Sequence, residues 1–231
     1  NRTVRAHRGT RFTSSFVGQP VTGCTKELNL GIGQPIEVGV PAVDASGAIY
    51  VGTADGLVHK LRFDAGRQGS YDFESEWGLR PFNAGSALAG PLALATAGAN
   101  GVAAILGATT TGRVFAIDGD ARQLWSNTNA FDAAVRGGPI TANGEAVAVD
   151  QPSTNTGASD LRRLALSNGQ ASGDALSLPA RFEVANASPV AGSDGRLYVA
   201  SGPRLAATSS TGTVEWTFDT RPSASGPATS F

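Results

Sequence analysis

The stretch PAVDASGAIYVGTADGLVHKL, residues 41–61, contains three short apolar runs separated by two glycine-containing turns. The runs at 41–43, 48–53 and 57–63 favour strands because β-branched and aromatic side chains fit a pleated sheet. The intervening DASG and ADG segments are typical hairpin connections. With a fourth strand predicted at 71–77, this part of the chain predicts one antiparallel sheet of four strands.

The same order of strands returns along the chain. A second copy is predicted at 102–108, 113–117 and 123–126, and a later one at 196–200, 204–208 and 214–218. The copy between them is less regular, with strands at 146–149 and 161–166 around a long polar loop at 151–159. No sustained 3.6-residue apolar period occurs, so we expect little helix.

A proline marks the predicted first strand of every copy. The motifs are GVPAV, AGPLA, GGPIT, ASPVA and SGPAT, with their prolines at Pro41, Pro91, Pro139, Pro189 and Pro227. The successive spacings are 50, 48, 50 and 38 residues. Such a period, built from short strands, indicates repeats that bury their apolar faces only against one another. The period therefore predicts radial or solenoid repetition, and of these we favour the radial form, an all-β β-propeller of four-stranded antiparallel blades.

The 231 residues are interpreted as a single β-propeller domain, 1–231. The predicted blades are approximately 34–84, 85–132, 133–183, 184–224, and a fifth that joins 225–231 to 1–33. In the fifth blade, 3–6, 11–15 and 25–30 supply strands, and pairing of the N- and C-terminal strands closes the ring and removes exposed sheet edges. The alternative is an arc of a seven- or eight-bladed ring.

Three tryptophans occupy one position of the repeat. Trp77 and Trp125 each precede the next proline by 14 residues, and Trp216 precedes Pro227 by 11. We expect all three to be buried between blades. The third copy has no tryptophan, and Ala175 or Leu176 lies near that position.

The segment AIDGDARQLW, residues 116–125, resembles the Ala-x-Asp…Gly-x-x-x-Trp signature of pyrroloquinoline-quinone-like β-propeller repeats. ATSSTGTVEW, residues 207–216, has the same spacing and keeps Gly212, with Ser209 where Asp is usual. The resemblance covers residues 34–231 and points to the non-enzymatic branch. The quinoprotein dehydrogenases of this family bind their cofactor with a vicinal cysteine pair and calcium-ligating carboxylates. Cys24 is the single cysteine here, so no cofactor is expected.

Composition excludes several classes of function. The net charge of −1 and the pI near 6.1 argue against a nucleic-acid-binding protein. No apolar run reaches the length of a transmembrane span. One cysteine rules out an internal disulfide framework. The chain contains no methionine, which we interpret as the mark of a processed, exported chain in the periplasm or outside the cell.

No catalytic, metal or cofactor site is predicted. The two histidines are His7 and His59, and His59 is expected to face solvent from its strand between Val58 and Lys60. No Ser/His/Asp arrangement, cluster of metal ligands or calcium loop has a recognisable spacing.

The leading hypothesis is a non-catalytic interaction scaffold, or an accessory subunit of a larger assembly, with an unidentified protein partner. Relatives of the outer-membrane assembly lipoprotein type use this repeat in that way, so the hypothesis partly rests on analogy of fold. The alternative is an adhesin or lectin-like module with a glycan ligand. A quinoprotein oxidoreductase fragment is the weakest reading.

Long loops of differing sequence collect on one face of the predicted propeller, at 78–89, 127–137, 151–159 and 178–186. Short turns such as 44–47, 142–145 and 192–195 lie on the opposite face. Recognition is usually carried by long loops on a rigid scaffold, and aromatic and arginine side chains often dominate interfaces. The predicted partner-binding residues are therefore Arg80, Phe82, Phe131, Arg136 and Asn155.

Overall fold

The computed structural model consists of antiparallel β-sheets, and the part of the chain that it describes contains no helix. The described residues are 3–7, 25–29, 40–67, 70–75, 77, 81–128, 131, 134–135, 137–151, 159–178, 188–201 and 204–219. Four of the sheets correspond to the four predicted blades, each with a four-stranded antiparallel path. The predicted all-β propeller fold is confirmed.

Blades one and two follow the predicted strands closely, because apolar runs separated by glycine turns encode hairpins locally. The strands of blade one are β3 (Ala42–Val43), β4 (Ile49–Gly52), β5 (Leu57–Arg67) and β6 (Ser70–Ser75), with β7 (Phe82–Asn83) paired to β5. The strands of blade two are β8 (Ala93–Ala97), β9 (Val102–Ala108), β10 (Val114–Asp118) and β11 (Gln123–Asn127).

Blades three and four have the same order. The strands of blade three are β12 (Ala134–Val135), β13 (Ile140–Ala142), β14 (Glu145–Gln151), β15 (Asp160–Ala165) and β16 (Leu176–Ser177). The strands of blade four are β17 (Val190–Ala191), β18 (Leu197–Ser201), β19 (Arg204–Thr208) and β20 (Val214–Asp219). In blade three, β12 and β13 both pair with β14, so two separate segments of the chain occupy the same edge of that strand.

A separate hairpin lies near the N-terminus, formed by β1 (Thr3–His7) and β2 (Thr25–Asn29). Two of the three strands predicted there are thus strands, but they pair directly with each other. The predicted strand at 11–15 and the C-terminal strand at 225–231 lie outside the described residues. Strand β2 also runs within 8 Å of β6, measured between Cα atoms.

The first strands of consecutive blades lie side by side, β3 with β8, β8 with β13, and β13 with β17. A separate apolar core fills each of the three junctions between neighbouring blades. Tyr50 and Val58 meet Phe115 between blades one and two. Trp125 meets Leu164 between blades two and three, and the third core joins blades three and four. Blades packed face to face around a set of inner strands are the arrangement of a propeller.

The turn between the third and fourth strands explains why the repeat signature has an aspartate, and why blade four can have a serine in its place. In blade two, Asp118 Oδ1 accepts a hydrogen bond from the Arg122 backbone N–H at 2.9 Å. In blade four, Ser209 Oγ accepts the equivalent bond from the Thr213 N–H at 3.0 Å. Serine therefore closes the same turn as aspartate, since either side chain offers an acceptor to a nearby N–H.

The residue four positions before the tryptophan has a left-handed backbone in both turns. Gly212 has φ of +88° and Ala121 has φ of +63°. Only glycine adopts this conformation without strain from a Cβ atom, so blade two carries a local cost that blade four avoids.

The glycine that precedes the proline permits close contact between inner strands. A Cβ atom on Gly138 would lie 1.8 Å from the Pro91 carbonyl oxygen. Glycine is therefore required where GGPIT approaches AGPLA. In blade four Ser188 stands at this position, and its Oγ accepts a hydrogen bond from the Gly138 N–H at 2.8 Å.

The expectation that all three tryptophans are buried is correct for one of them. Trp125 is 6% exposed, Trp77 is half-buried, and Trp216 is 43% exposed. Trp125 is covered by the turn of the following blade, whereas Trp216 belongs to blade four, the last of the four described blades. Burial therefore depends on the neighbouring blade rather than on the repeat itself.

The expectation that His59 faces solvent is wrong. His59 is 5% exposed and lies opposite Val51, a fully buried residue of the neighbouring strand. Alternation does place His59 on the face of blade one that points away from blade two. That face is buried too, because a propeller blade is normally covered on both sides.

Candidate partner-binding surface

The strands of each blade alternate in direction, so two kinds of connection leave from the same end. The turns from second to third strand and the links from fourth strand to next blade start from what we call the loop face, where the described ends of the predicted long loops lie, at 81–89, 127–128, 137, 151, 159 and 178. The opposite, tight-turn face carries 44–47, 119–122, 166–169, 192–195 and 209–212. Of the predicted partner-binding residues, the structure describes Phe82 and Phe131. Arg80, Arg136 and Asn155 lie outside the described residues.

Phe82 lies in β7, where it is directly opposite Val58 of blade one. Its ring is half-buried and stands 5.1 Å from the ring of Phe115, between centroids. The next residues are held equally firmly, since the Ala84 N–H donates to the Gly56 carbonyl at 2.8 Å and Arg113 Nη1 donates to the Ala84 carbonyl at 2.7 Å. This link is therefore fixed to blades one and two together.

Phe131 is 4% exposed and belongs to the core between blades two and three. The Arg162 guanidinium carbon lies 5.6 Å from its ring centroid, which is a cation–π arrangement. The ring therefore anchors the link from blade two to blade three, and its role in partner contact stays a prediction.

The loop that carries Asn155 is closed at its base by two aspartates. The buried Asp150 accepts a hydrogen bond on Oδ1 from the Asp160 backbone N–H at 2.6 Å. Asp160 Oδ1 in turn accepts a bond from Ser177 Oγ at 2.7 Å, which ties in the outer strand. Hydrogen bonds thus hold both ends of this loop to the strands of blade three.

On the tight-turn face, Trp77 and Trp125 each donate a hydrogen bond to the next blade. Trp77 Nε1 donates to the Gly119 carbonyl at 3.0 Å, and Lys60 Nζ donates to the same oxygen at 3.1 Å. Trp125 Nε1 donates to the Leu166 carbonyl at 2.7 Å. These acceptors lie in the turn between third and fourth strands of the following blade, so the indole joins blades through both packing and a hydrogen bond.

Blade three makes the equivalent contact without a tryptophan. Arg163, on its third strand, donates from Nη1 to the Ser210 carbonyl at 2.8 Å and from Nη2 to the Thr211 carbonyl at 3.0 Å. Leu176, one of the residues near the tryptophan position, instead pairs with Leu161 within the sheet. Sequence reasoning missed Arg163, although an arginine in the third strand of the copy without tryptophan was a usable signal.

The face of blade four that points away from blade three is apolar and open to solvent. Val190 is 62% exposed, Phe218 is 58% exposed and Trp216 is 43% exposed. The pairing register places Val190 opposite Tyr198, Ala207 opposite Trp216, and Leu205 opposite Phe218. We call this surface, formed by Val190, Tyr198, Leu205, Trp216 and Phe218 around the buried Ala207, the end face of blade four.

Ion pairs accompany this apolar surface. Arg196 contacts Asp194 and Glu215, each with an N–O distance of 2.6 Å, and Arg204 Nε contacts Asp219 at 3.0 Å. The hydrogen bonds from Arg196 hold the pKa of Asp194 below its ordinary value, and the two carboxylates raise the pKa of Arg196. Exposed pairs of this kind contribute little to stability, but they neutralise charge along β20.

The turn carboxylate of blade one has a structural role. Asp44 accepts hydrogen bonds from the backbone N–H groups of Ser46 at 2.9 Å and Ala48 at 3.0 Å, and from the Tyr50 hydroxyl at 3.0 Å. Desolvation acts to raise its pKa, yet the hydrogen bonds together hold the pKa below its ordinary value.

Within the described ranges, no three His, Cys, Asp or Glu side chains form a group suited to a metal ion, and no helix has the length and hydropathy of a membrane span.

The architecture is similar to that of solved propellers. It matches BamB from Moraxella catarrhalis with a TM-score of 0.51 at 15% identity, over 81% of this chain and 49% of that one. It matches the quinohemoprotein alcohol dehydrogenase from Comamonas testosteroni with a TM-score of 0.59 at 14% identity, over 83% and 36%. The Dos1 propeller matches with a TM-score of 0.60 at 10% identity, over 79% and 48%.

The chain thus spans about half the length of BamB and about a third of the dehydrogenase. No protein-family model and no curated protein matches the sequence. The similarity confirms the β-propeller fold, which is consistent with the pyrroloquinoline-quinone-like repeat that the sequence resembles. Since one fold serves many activities, it assigns no reaction.

Proposed function

We propose that this protein is a non-catalytic propeller scaffold that binds a protein partner through its loop face, outside the cytoplasm, as an accessory subunit of a larger assembly. The observation that carries the proposal is the contrast between the two faces. The tight-turn face is joined from blade to blade by Trp77, Trp125 and Arg163. The loop face carries the long segments of differing sequence, with their ends fixed to the blades.

The proposed partner contacts are Arg80, Phe82, Phe131, Arg136 and Asn155. Phe82 and Phe131 set the starting points of two links through their packing on Phe115 and beneath Arg162. The arginines and Asn155 then provide charge and hydrogen bonds to a partner. Arginine is among the residue types that most often supply the binding energy of an interface.

A protein partner is supported more strongly than a glycan ligand. Glycan binding usually needs an aromatic ring that is free to stack on a sugar, and the rings of Phe82 and Phe131 pack against other side chains of the propeller. The extracytoplasmic location rests on the resemblance to exported propellers and belongs to the same proposal.

Charge reversal on the loop face tests the proposal. Chemical cross-linking in extracts of the native host, with the purified chain carrying an affinity tag, would identify the partner. The double variant Arg80→Glu and Arg136→Glu should then reduce binding of the purified partner by at least tenfold. Arg122→Glu is the control: it reverses one arginine charge on the tight-turn face, where the Arg122 side chain is 78% exposed, and it is compared with the single variants Arg80→Glu and Arg136→Glu as well as with the double variant. Equal loss of binding in Arg122→Glu, or full binding by the double variant, would show that the loop face is not the interface.

A further inference from the structure

Arg162 is a partly buried arginine whose N–H groups meet no acceptor among the described residues. It lies on β15 opposite Ala148, and its guanidinium carbon is 5.6 Å from the ring centroid of Phe131, in the core between blades two and three. Its Nε is buried without a hydrogen-bond partner. Its Nη2 lies 3.9 Å from Asp160 Oδ2, which is beyond hydrogen-bonding distance.

Four other arginines of the described blades differ from Arg162 in this respect. Each donates a hydrogen bond of 3.0 Å or less, namely Arg113, Arg163, Arg196 and Arg204. The side chain of Arg162 is only 28% exposed, so water satisfies it incompletely. A charged group withdrawn from water is costly unless it is paired and hydrogen-bonded. The arrangement therefore indicates a place for an acceptor that these blades do not supply.

The nearby carboxylate of Asp160 is held in place by other bonds. Asp160 Oδ1 accepts a hydrogen bond from Ser177 Oγ at 2.7 Å, and the Asp160 N–H donates to Asp150 Oδ1 at 2.6 Å. On the Arg162 side, the cation–π contact with Phe131 orients the guanidinium. Arg162 is thus positioned by its neighbours without being hydrogen-bonded by them.

The place of Arg162 in the fold indicates which ligand its donors suit. Strand β15 leaves the loop face at Asp160, two residues before Arg162. Because Nε is buried, the donors open to a ligand are those on Nη1 and Nη2. Two parallel N–H groups of a guanidinium match the two oxygens of a carboxylate. Asp160 would repel a second negative charge, so a carboxylate suits the site better than a doubly charged phosphate.

We propose that Arg162 is a carboxylate-binding residue of the loop face, which pairs with an Asp or Glu side chain of the protein partner, and that Phe131 is its positioning residue. The inference rests on the proposed function and adds the chemistry of the partner, an acidic surface segment. The partner carboxylate supplies the acceptor that Arg162 lacks. Phe131, which is 4% exposed, then contributes to binding through Arg162 and without touching the partner.

An NMR titration of the intact chain with a tetraglutamate peptide, acetylated and amidated at its ends, tests the proposal at constant ionic strength. The matched tetraglutamine peptide has the same length without carboxylates. We expect tetraglutamate, and not tetraglutamine, to shift the Nε–H signal of Arg162 in a saturable way. No shift, or an equal shift by tetraglutamine, would overturn the proposal. Saturation by inorganic phosphate at a lower concentration than the peptide would also overturn it and would assign the site to a small anion.

Substitution of Arg162 gives the quantitative test. Arg162→Gln should weaken tetraglutamate binding about tenfold or more, because the charged donors are lost. Arg162→Lys keeps the charge but not the planar fork, so it should weaken binding about threefold or more. Arg122→Gln is the matched control on the tight-turn face, where the side chain is 78% exposed, and it should leave the affinity within about twofold. Full binding by Arg162→Gln, or an equal loss in Arg122→Gln, would contradict the assignment.

Phe131→Leu tests the positioning role. It keeps an apolar side chain in the core but removes the ring beside the guanidinium, so the Arg162 signal should move even without peptide, and the affinity should fall about threefold or more. An unchanged signal and affinity would overturn the role of Phe131. The two Arg162 variants carry the test where Phe131→Leu does not fold, since they remove a cation that has no hydrogen bond to lose.

This inference and the proposed function fail separately. A partner whose binding depends on Arg80 and Arg136 but not on Arg162 would overturn this inference alone. Tetraglutamate binding that depends on Arg162, together with a partner that ignores Arg80 and Arg136, would overturn the proposed contacts and leave the carboxylate site in place.

Discussion

Trp125 and Trp216 occupy equivalent positions in blades two and four, yet they differ in environment. Both follow a tight turn closed by a side-chain acceptor, and both lie opposite an alanine, Ala116 or Ala207. Trp125 is covered by the next blade and donates to Leu166, whereas Trp216 is largely open. The repeat thus places a tryptophan on the face of the blade that packs against the next blade, but the indole is buried only where that next blade covers it.

The largest effect is expected at Trp125. Trp125→Ala removes a buried indole and leaves a cavity between blades two and three, so the free energy of unfolding should fall by about 3–5 kcal/mol. Trp125→Phe keeps most of the ring but loses the bond to the Leu166 carbonyl, and it should cost clearly less. Denaturant unfolding of both variants makes the measurement, and equal losses would mean that the hydrogen bond outweighs the packing.

The next effect concerns the junction that lacks a tryptophan. Arg163→Met should lower the free energy of unfolding by about 1–3 kcal/mol, because two carbonyls of blade four lose a charged donor. Arg122→Met removes an arginine from a turn where its side chain is largely exposed, and it should change stability by less than about 0.5 kcal/mol. If thermal unfolding shows the two variants to be alike, Arg163 does not replace the tryptophan.

A pH-dependent effect is expected from His59. Burial lowers the pKa of this imidazole below 6.5, and the weaker attraction of Asp55 only partly opposes the shift. The unfolded chain therefore binds a proton at a higher pH than the folded chain. The contribution of neutral His59 is fully present above about pH 6.5 and is lost as the pH falls through the lower folded pKa. His59→Leu should remove this part of the acid sensitivity of the melting temperature between pH 7 and pH 5. An unaltered slope in that range would assign the sensitivity to other groups.

The smallest effect compares the two turns. Ala121→Gly should raise the free energy of unfolding by about 0.5–1 kcal/mol, because it relieves a left-handed alanine while adding some freedom to the unfolded chain. Gly212→Ala should lower it by about 1 kcal/mol or more, since its new Cβ would also lie 2.6 Å from Arg163 Nη2. Calorimetry of the two variants measures both changes in the free energy of unfolding. A more stable Gly212→Ala variant would refute the assignment of backbone strain.

Much of the fold could be predicted because its determinants are local. Strands such as Arg204–Thr208 and Val102–Ala108 agree with their predicted bounds, since apolar runs and glycine turns act within a few residues. The burial of the candidate functional residues was harder to predict from the sequence. Phe131 and His59 both looked available in the sequence, yet each is buried by a neighbouring element.

The sequence by itself determined the period, the strands, the turns and the position of each tryptophan, because side-chain alternation and turn residues act over short distances. Only the tertiary structure decided which faces were covered. It placed Arg163 against the turn of blade four, put His59 on a second buried face, and left Trp216 exposed. The physical reason is that a blade buries each face against a different neighbour, and the identity of that neighbour is set by contacts about 40–50 residues away in the chain.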